Sequence, residues 1–382
     1  MLQDYFETYA RDYEYYKGGA WCYEDGCLYR GLIALYEATG ERQWLDHLIR
    51  LVSKQIDARG RLVGYEIDEF NIDNILPGRA LVFLYRLTGE SRWLDAAAPL
   101  ARQLETHPRT GSDVYWHKLR YPHQIWLDGL YMALPFKVEH AQAASRPQAV
   151  EEALRQFTTA LDLTHDRQAD LYRHGYDEAR QQAWADAESG LSPAHWARSI
   201  GWLAMAFVDI IENLPPGASR RELTDRAVAL ASRLIALRTA DHRWLQVIDR
   251  PDEVQNYPES SATAMFSYFL QKLARLGGPA AVSEAGRASL QSLTGQELRQ
   301  DADGRRRLHN ICCVAGLGGF NGRYRDGTVG YYLSEEIRPD DIKGVGPLMM
   351  AYAETLLDTQ SMMSQSARLG DQVELSAAVK RY

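Results

Sequence analysis

Apolar residues recur every three to four positions through most of the chain, which is the spacing of helices that bury one face, and period-two alternation is rare. One helical pair stands out because it is written twice. Leu35-Tyr-Glu-Ala-Thr-Gly-Glu-Arg-Gln-Trp-Leu-Asp46 returns 49 positions later as Leu84-Tyr-Arg-Leu-Thr-Gly-Glu-Ser-Arg-Trp-Leu-Asp95. In each copy an apolar-periodic stretch stops at Thr-Gly, as a helix stops at its C-terminal glycine, and a second begins at Trp-Leu-Asp. The repeated unit reads as a helical hairpin. Roughly seven such units would fill the chain, and the period leaves open whether the array runs as a solenoid or closes into a ring.

Prolines predict further helix starts: Pro77 before Leu81 to Leu87, Pro122 before Ile125 to Met132, Pro193 before Trp196 to Ile211, and Pro347 before Leu348 to Leu357. Strand signals are few, Gly60 to Tyr65 and Thr328 to Leu333 being the best, so the expected class is all-α. Ala141 to Gln148 and Pro279 to Arg307 read as surface connections. The last 20 residues, from Met363, carry few apolar anchors and are expected to be loosely attached to a single domain spanning 1–382.

Composition narrows the function classes. A hydrophobic share of 46% and a charged share of 25% fit a globular protein with an ample core. A net charge of -8 with no basic cluster argues against nucleic acid, and no run of about 18 apolar residues exists to span a membrane. The N-terminus lacks the pattern of a secretory signal, so a cytoplasmic location is expected. Cys22, Cys27, Cys312 and Cys313 fit reduced thiols better than a disulfide framework, and no metal-ligand spacing appears. Neither a metal nor a cofactor is expected.

Four segments hold polar residues in unexpected company: Asn71 to Asn74, Lys118 to Asp128, Tyr172 to Asp177, and His195 to Trp202. The sharpest is Asp128, a lone acid in the apolar stretch Ile125-Trp-Leu-Asp-Gly-Leu-Tyr-Met132. A carboxyl in apolar surroundings is costly unless paired or protonated, and a protonated carboxyl is a ready general acid. In the fourth segment Ser192 is placed to cap and Pro193 to open a helix, which puts Arg198 in its second turn with Trp202 on the same face. A guanidinium beside an indole suits a sugar acid. Plainer roles stay open at this point: Asp128 as a cap or a paired acid, Asp73 as a turn or cap, His174 as a core histidine, Trp196 and Trp202 as core aromatics, and Ala315 to Gly322 as a tight loop.

Taken in order, Asn71-Ile-Asp-Asn-Ile-Leu-Pro-Gly78, Trp126-Leu-Asp-Gly-Leu-Tyr-Met132, His174-Gly-Tyr-Asp177, Trp196-Ala-Arg-Ser-Ile-Gly-Trp202, Glu259-Ser-Ser-Ala262 and Asp340-Asp-Ile-Lys-Gly-Val-Gly-Pro347 resemble the unsaturated rhamnogalacturonyl hydrolases, glycoside hydrolase family 105. The related family 88 contains the unsaturated glucuronyl hydrolases. The resemblance implies a six-hairpin (α/α)6 barrel and a substrate that is an unsaturated uronyl disaccharide or short oligosaccharide left by a lyase on pectin. It implies Asp128 as general acid and base, Asp73 as an assisting carboxylate that helps Asp128 keep its proton, and Lys118, Trp126, His174, Trp196, Arg198 and Trp202 along the substrate. Lys118 and Arg198 are assigned to the substrate carboxylate by charge. Two departures bear on the leaving sugar: Arg-Ser-Ile before Gly201 where many relatives carry Arg-Gly-Asn, and Ile311-Cys-Cys-Val-Ala-Gly-Leu-Gly-Gly319 where many carry Cys-Trp-Gly-Thr-Gly. Three other readings compete: a glucuronyl hydrolase of glycosaminoglycan or algal fragments, a conventional inverting glycosidase, and a non-catalytic helical-repeat binding protein.

Overall fold

The computed structural model describes the backbone of residues 2–379 and side chains up to residue 360. The expectation about the segment from Met363 therefore lies outside the described side chains.

Two matching hairpins explain the written repeat. Helices α2 (Tyr23–Thr39) and α3 (Arg42–Lys54) are joined through Gly40 at φ 69°, and α4 (Gly78–Thr88) and α5 (Ser91–Thr106) through Gly89 at φ 71°. Each glycine occupies the left-handed cap that a side chain would strain, and donates its N–H to Tyr36 or Tyr85. In both turns the threonine hydroxyl, Thr39 or Thr88, accepts from the amide two residues on. The same local chemistry has built the same corner twice.

The remaining helices are α1 (Leu2–Asp12), α6 (Leu127–Ala143), α7 (Pro147–Thr164), α8 (Ala197–Glu212), α9 (Ala218–Ala236), α10 (Ser260–Arg275), α11 (Ala280–Glu297), α12 (Val329–Leu333) and α13 (Ile342–Val379). Helices α2, α4, α6, α8, α10 and α13 form an inner ring in that order, and α13 packs back onto α2 to close it. The outer ring is α3, α5, α7, α9 and α11, with α1 beside α3. The array is a closed (α/α)6 barrel.

Ten short strands form five antiparallel pairs among the described residues, all in the segments leading into inner helices: β1 (Gln124–Trp126) with β4 (Gly175–Asp177), β2 (His165–Asp166) with β3 (Leu171–Tyr172), β5 (Leu298–Gln300) with β6 (Arg306–Leu308), β7 (Ile311–Cys312) with β10 (Ile337–Arg338), and β8 (Gly318–Phe320) with β9 (Arg323–Arg325). Connections from inner to outer helices are short. The long, polar, hairpin-bearing segments therefore gather at the end where the inner helices begin, and six helix N-termini add positive potential there.

Several expectations need correction. Thr328 to Leu333 is not a strand: Thr328 caps the helix Val329–Leu333 by accepting from the Tyr331 amide. Gly60 to Tyr65 forms turns with one bridge from Leu62 to Ile56. Pro279 to Arg307 is mostly α11 and the β5–β6 hairpin. Trp196, not Ser192, is the cap residue of α8, so Pro193 lies ahead of the helix and Arg198 falls in its first turn. Ser192 instead accepts the amide of Gly175.

The inner ring also carries a buried charged knot among its helices. Arg79 pairs with Asp209 at 2.7 Å and Glu139 at 2.6 Å, and Lys272 pairs with Asp209 at 2.8 Å. Tyr268 donates to the same aspartate at 2.5 Å, and Arg30 lies 3.7 Å from it. These residues come from α2, α4, α6, α8 and α10, so one network ties five inner helices together. Burial works to raise the Asp209 pKa, but Lys272, Arg79 and Arg30 outweigh it and hold the group well below the usual carboxylate range.

Candidate active site

Asp128 is the second residue of α6, and the strand before that helix decides what it meets. In the β1–β4 ladder Trp126 lies opposite Gly175, and the Leu127 amide donates to the His174 carbonyl at 3.0 Å. That register brings Asp128 beside His174. Their Oδ2 and Nε2 atoms are 3.1 Å apart, and neither makes an aligned hydrogen bond with any other group. Gly175 lets the ladder pack closely, because a Cβ there would stand 2.5 Å from the Leu317 side chain and 3.3 Å from Trp126.

His174 is held from behind. Its Nδ1 lies 2.7 Å from the Tyr332 hydroxyl, and both side chains are fully buried. Burial, Tyr331 and Asp128 push the Tyr332 pKa well above its ordinary value, so the phenol stays neutral. A neutral phenol can donate to Nδ1, and the ring proton then sits on Nε2, facing Asp128. Tyr332 is itself fixed: its ring stacks on Trp196 at 5.6 Å, and its carbonyl accepts from Gln246, whose side-chain oxygen accepts the Trp196 indole N–H. Trp196 also lies 4.9 Å from the His174 ring.

Asp73 sits in the short 3-10 turn Ile72–Ile75, where Asn71, not Asp73, provides the cap. Its carboxylate meets Lys118 Nζ at 2.5 Å and His117 Nε2 at 3.6 Å. Burial works to raise its pKa, but Lys118 and His117 overcome it and keep Asp73 below the ordinary carboxylate value, hence ionised. Burial pushes His117 down to about 3, so that ring is neutral near neutral pH. It stacks flat on Trp126 with centroids 4.2 Å apart, and feels both Asp73 and Asp128.

The aromatic wall is Trp126, with Tyr121 stacked at 4.8 Å and His174 edge-on at 5.3 Å. The structure thus brings together Asp128, Asp73, Lys118, Trp126, His174 and Trp196. It places two residues differently from expectation. Arg198 is buried with its guanidinium donating to the carbonyls of Cys312 and Cys313 and to Ser261, so it secures the segment after β6 rather than offering a fork to a substrate carboxylate. Trp202 lies in the main core, stacked on Tyr131 at 5.2 Å.

Sequence reasoning missed His117 and Tyr332. His117 directly precedes Lys118 and could have been included with it. Tyr332 lay in a stretch read as strand, and no local signal announces its link to a residue 158 positions away. The cysteines offer no nucleophile: all four are unpaired and buried, and burial pushes the Cys312 thiol up to about 12. Glu259, from another of the motifs, caps α10 by accepting from the Ala262 amide and also takes the Cys312 amide.

Comparison with known proteins identifies the family and the fold. The chain is similar to a C. acetobutylicum glycoside hydrolase from family 105, at 34% identity and a TM-score of 0.87, over 92% of this chain and 97% of that one. It is 28% identical to the unsaturated rhamnogalacturonyl hydrolase YesR of Bacillus subtilis, over 75% of this chain and 83% of the relative. It is 52% identical to an Agrobacterium fabrum protein over 59% of this chain and 99% of the relative. The family model for Glycosyl Hydrolase Family 88 matches residues 3–358. The chain belongs to glycosyl hydrolase family 88, with family 105 members among its structural relatives, and is a glycosidase.

Proposed function

We propose that the enzyme removes a 4,5-unsaturated uronic acid from the non-reducing end of lyase-generated pectin oligosaccharides, with unsaturated galacturonate linked to rhamnose as its substrate. The observation that carries this reading is the contrast between the two acids. Each acid keeps one buried carboxyl oxygen without an aligned hydrogen bond, but Asp73 is ion-paired to Lys118 at 2.5 Å, whereas Asp128 pairs with no lysine or arginine among the described residues and faces a histidine fixed from behind. One available acid suits hydration of a vinyl ether better than a displacement that needs two free carboxyls across the scissile bond.

Asp128 delivers its proton to C4 of the C4=C5 bond, and positive charge develops at C5, shared with the ring oxygen. Water adds at C5 and gives its proton to the Asp128 carboxylate, which restores the acid. The resulting hemiketal opens between C5 and the ring oxygen, leaving a hemiacetal at C1 that breaks down and releases the leaving sugar. His174 Nε2–H steadies Asp128 while it is charged. Asp73, kept ionised by Lys118, is the assisting carboxylate beside this acid. Trp126 and His117 keep the wall dry, which strengthens these interactions. The helix N-termini favour an anionic sugar at this end of the barrel.

The galacturonyl-rhamnose choice is supported by the name of the Bacillus subtilis relative. Unsaturated galacturonyl-rhamnose and unsaturated glucuronyl disaccharides should be assayed side by side, following both the ultraviolet absorbance of the unsaturated acid and the freed sugar. Loss of absorbance in step with release, faster on the galacturonyl substrate, is the expected result. Released sugar with the chromophore intact would overturn the hydration mechanism, and faster glucuronyl turnover would overturn the substrate choice.

A further inference from the structure

The glycine-rich stretch 315–322 and the turn after Lys118 meet at a place that the proposed chemistry does not use. Hairpin β8–β9 turns at Asn321-Gly322, both with positive φ (48° and 76°), the geometry of a tight two-residue hairpin turn. Arg325 clamps this hairpin to the site wall by donating to the Tyr121 hydroxyl and to the carbonyls of Leu317 and Gly318. Phe320, at the end of β8, is thereby held outward and is 40% exposed.

Facing it is the turn 118–121, closed by the Tyr121 amide on the Lys118 carbonyl. Lys118 points in to Asp73, and Arg120 points out. The Arg120 guanidinium lies 5.2 Å from the Tyr121 ring and 5.0 Å from the Phe320 ring. It makes no ion pair or hydrogen bond among the described residues. An exposed arginine held between two rings without a carboxylate is a fork kept in place and left free. Its position relative to the reacting acid is set by contacts already described: Tyr121 stacks on Trp126, and Trp126 lies edge-on to His174 beside Asp128. Trp126 and Tyr121 are buried, and Arg120 and Phe320 are the exposed residues beyond them on this side of Asp128.

We propose that Arg120, held between Tyr121 and Phe320, binds an oxyanion carried on the leaving saccharide, so that the preferred substrate has a second anionic group beyond the sugar ring that is released. This rests on the functional reading above. The shared chemistry is a planar or tetrahedral oxyanion able to take two N–H donors, either the carboxylate of a further uronate or a sulfate ester on the leaving sugar. The Phe320 ring carries both Arg120, at 5.0 Å, and Arg325, at 5.1 Å, so two cations stand at this corner. The rings restrict Arg120 before the ligand arrives, which lowers the ordering cost of binding. In a chain of net charge -8 an uncommitted cation at the mouth also offsets repulsion of an acidic glycan.

The test compares three substrates on the full-length enzyme: an unsaturated uronyl-rhamnose disaccharide, the corresponding tetrasaccharide with an internal uronate, and a disaccharide sulfated on the leaving sugar. The readout is the ratio of kcat/KM for each anionic substrate over the neutral disaccharide. In the unaltered enzyme at least one ratio should exceed one, and R120A should lower that ratio about fivefold, through KM, as expected for a partly exposed charge pair. R120K should fall between, and F320A should lower the same ratio, because it frees the guanidinium. High salt should shrink the preference. A ratio lost for the tetrasaccharide assigns the site to a carboxylate, and one lost for the sulfated disaccharide assigns it to sulfate. No preference, or a preference unchanged in R120A, would overturn the inference while leaving the functional reading intact. Absence of turnover on all three would overturn the functional reading and the inference with it.

Discussion

Two buried histidines make the loops around Asp73 sensitive to acid, and the size of the effect follows from their surroundings. Burial pushes His107 down to about 4 and His117 down to about 3. His107 lies 2.8 Å from the Trp116 carbonyl through Nε2, and His117 is next but one in the chain from Tyr115, which packs on His107. Both lie in the segment that carries Lys118. In the unfolded chain each ring would titrate near 6.5. A group with a depressed folded pKa contributes its full stability above the unfolded value, and loses it as pH falls towards the folded one. Between about pH 7.5 and about pH 5 the folded rings stay neutral while the unfolded ones take up protons, which costs about 2 kcal/mol per histidine, or about 4 kcal/mol together. For a chain of 382 residues that is a fall in Tm of about 5 °C. Asp73, whose pKa is lowered, loses its contribution only below about pH 4 and so does not enter this window. Glu37 and Asp340, raised by burial, act in the opposite direction, but equally in a variant that retains them. The comparison is therefore thermal unfolding of the unaltered protein against a His107→Gln, His117→Asn double variant across this pH range. The variant should be less stable at about pH 7.5 but should lose about 5 °C less on acidification. Equal losses in both proteins would refute the account of these rings.

Removing the Tyr332 hydroxyl in Tyr332→Phe frees His174 Nδ1 and the choice of tautomer; kcat should fall by about tenfold to a hundredfold with KM little changed, and the pH profile of kcat should shift. An unchanged profile would reduce Tyr332 to packing alone. Arg79→Met strands Glu139 in the barrel interior and takes one cation from Asp209, which keeps Lys272, and should cost about 3 to 5 kcal/mol in urea unfolding, more than Arg42→Met, which breaks an exposed pair and should cost under about 1 kcal/mol.

The parts of this structure that local chemistry dictates could be read in advance. The hairpin repeat was legible because Thr-Gly followed by an acidic residue ends one helix and starts the next in both copies, with matching cap geometry. Asp128 stood out in the sequence as a lone acid among Ile125, Trp126, Leu130 and Met132, and the structure sets it beside a buried histidine. Its partner was not legible, since the register of a three-residue ladder to Gly175 decides which histidine it meets. Arg198 was misjudged because charge near a helix start suits a ligand and a carbonyl-lined loop equally well, and only the fold shows Cys312 and Cys313 arriving there. Trp202 follows the same rule on a smaller scale: helical spacing sets it on the face of Arg198, and the packing of α8 on α6 turns it against Tyr131. The misread segment 328–333 alternates well enough for a strand, but Asp326, Gly327 and the Thr328 cap start a helical turn instead.

The central claim is that one carboxyl, Asp128, gives a proton to a ring carbon and takes one from water. It is tested most directly by the rate at which Asp128→Asn bleaches the unsaturated-acid chromophore of its substrate. The amide keeps the shape and loses the proton, so the rate should fall by about a thousandfold or more while Tm and substrate binding stay close to those of the unaltered enzyme. A variant that bleaches the chromophore at near the original rate would contradict the assignment.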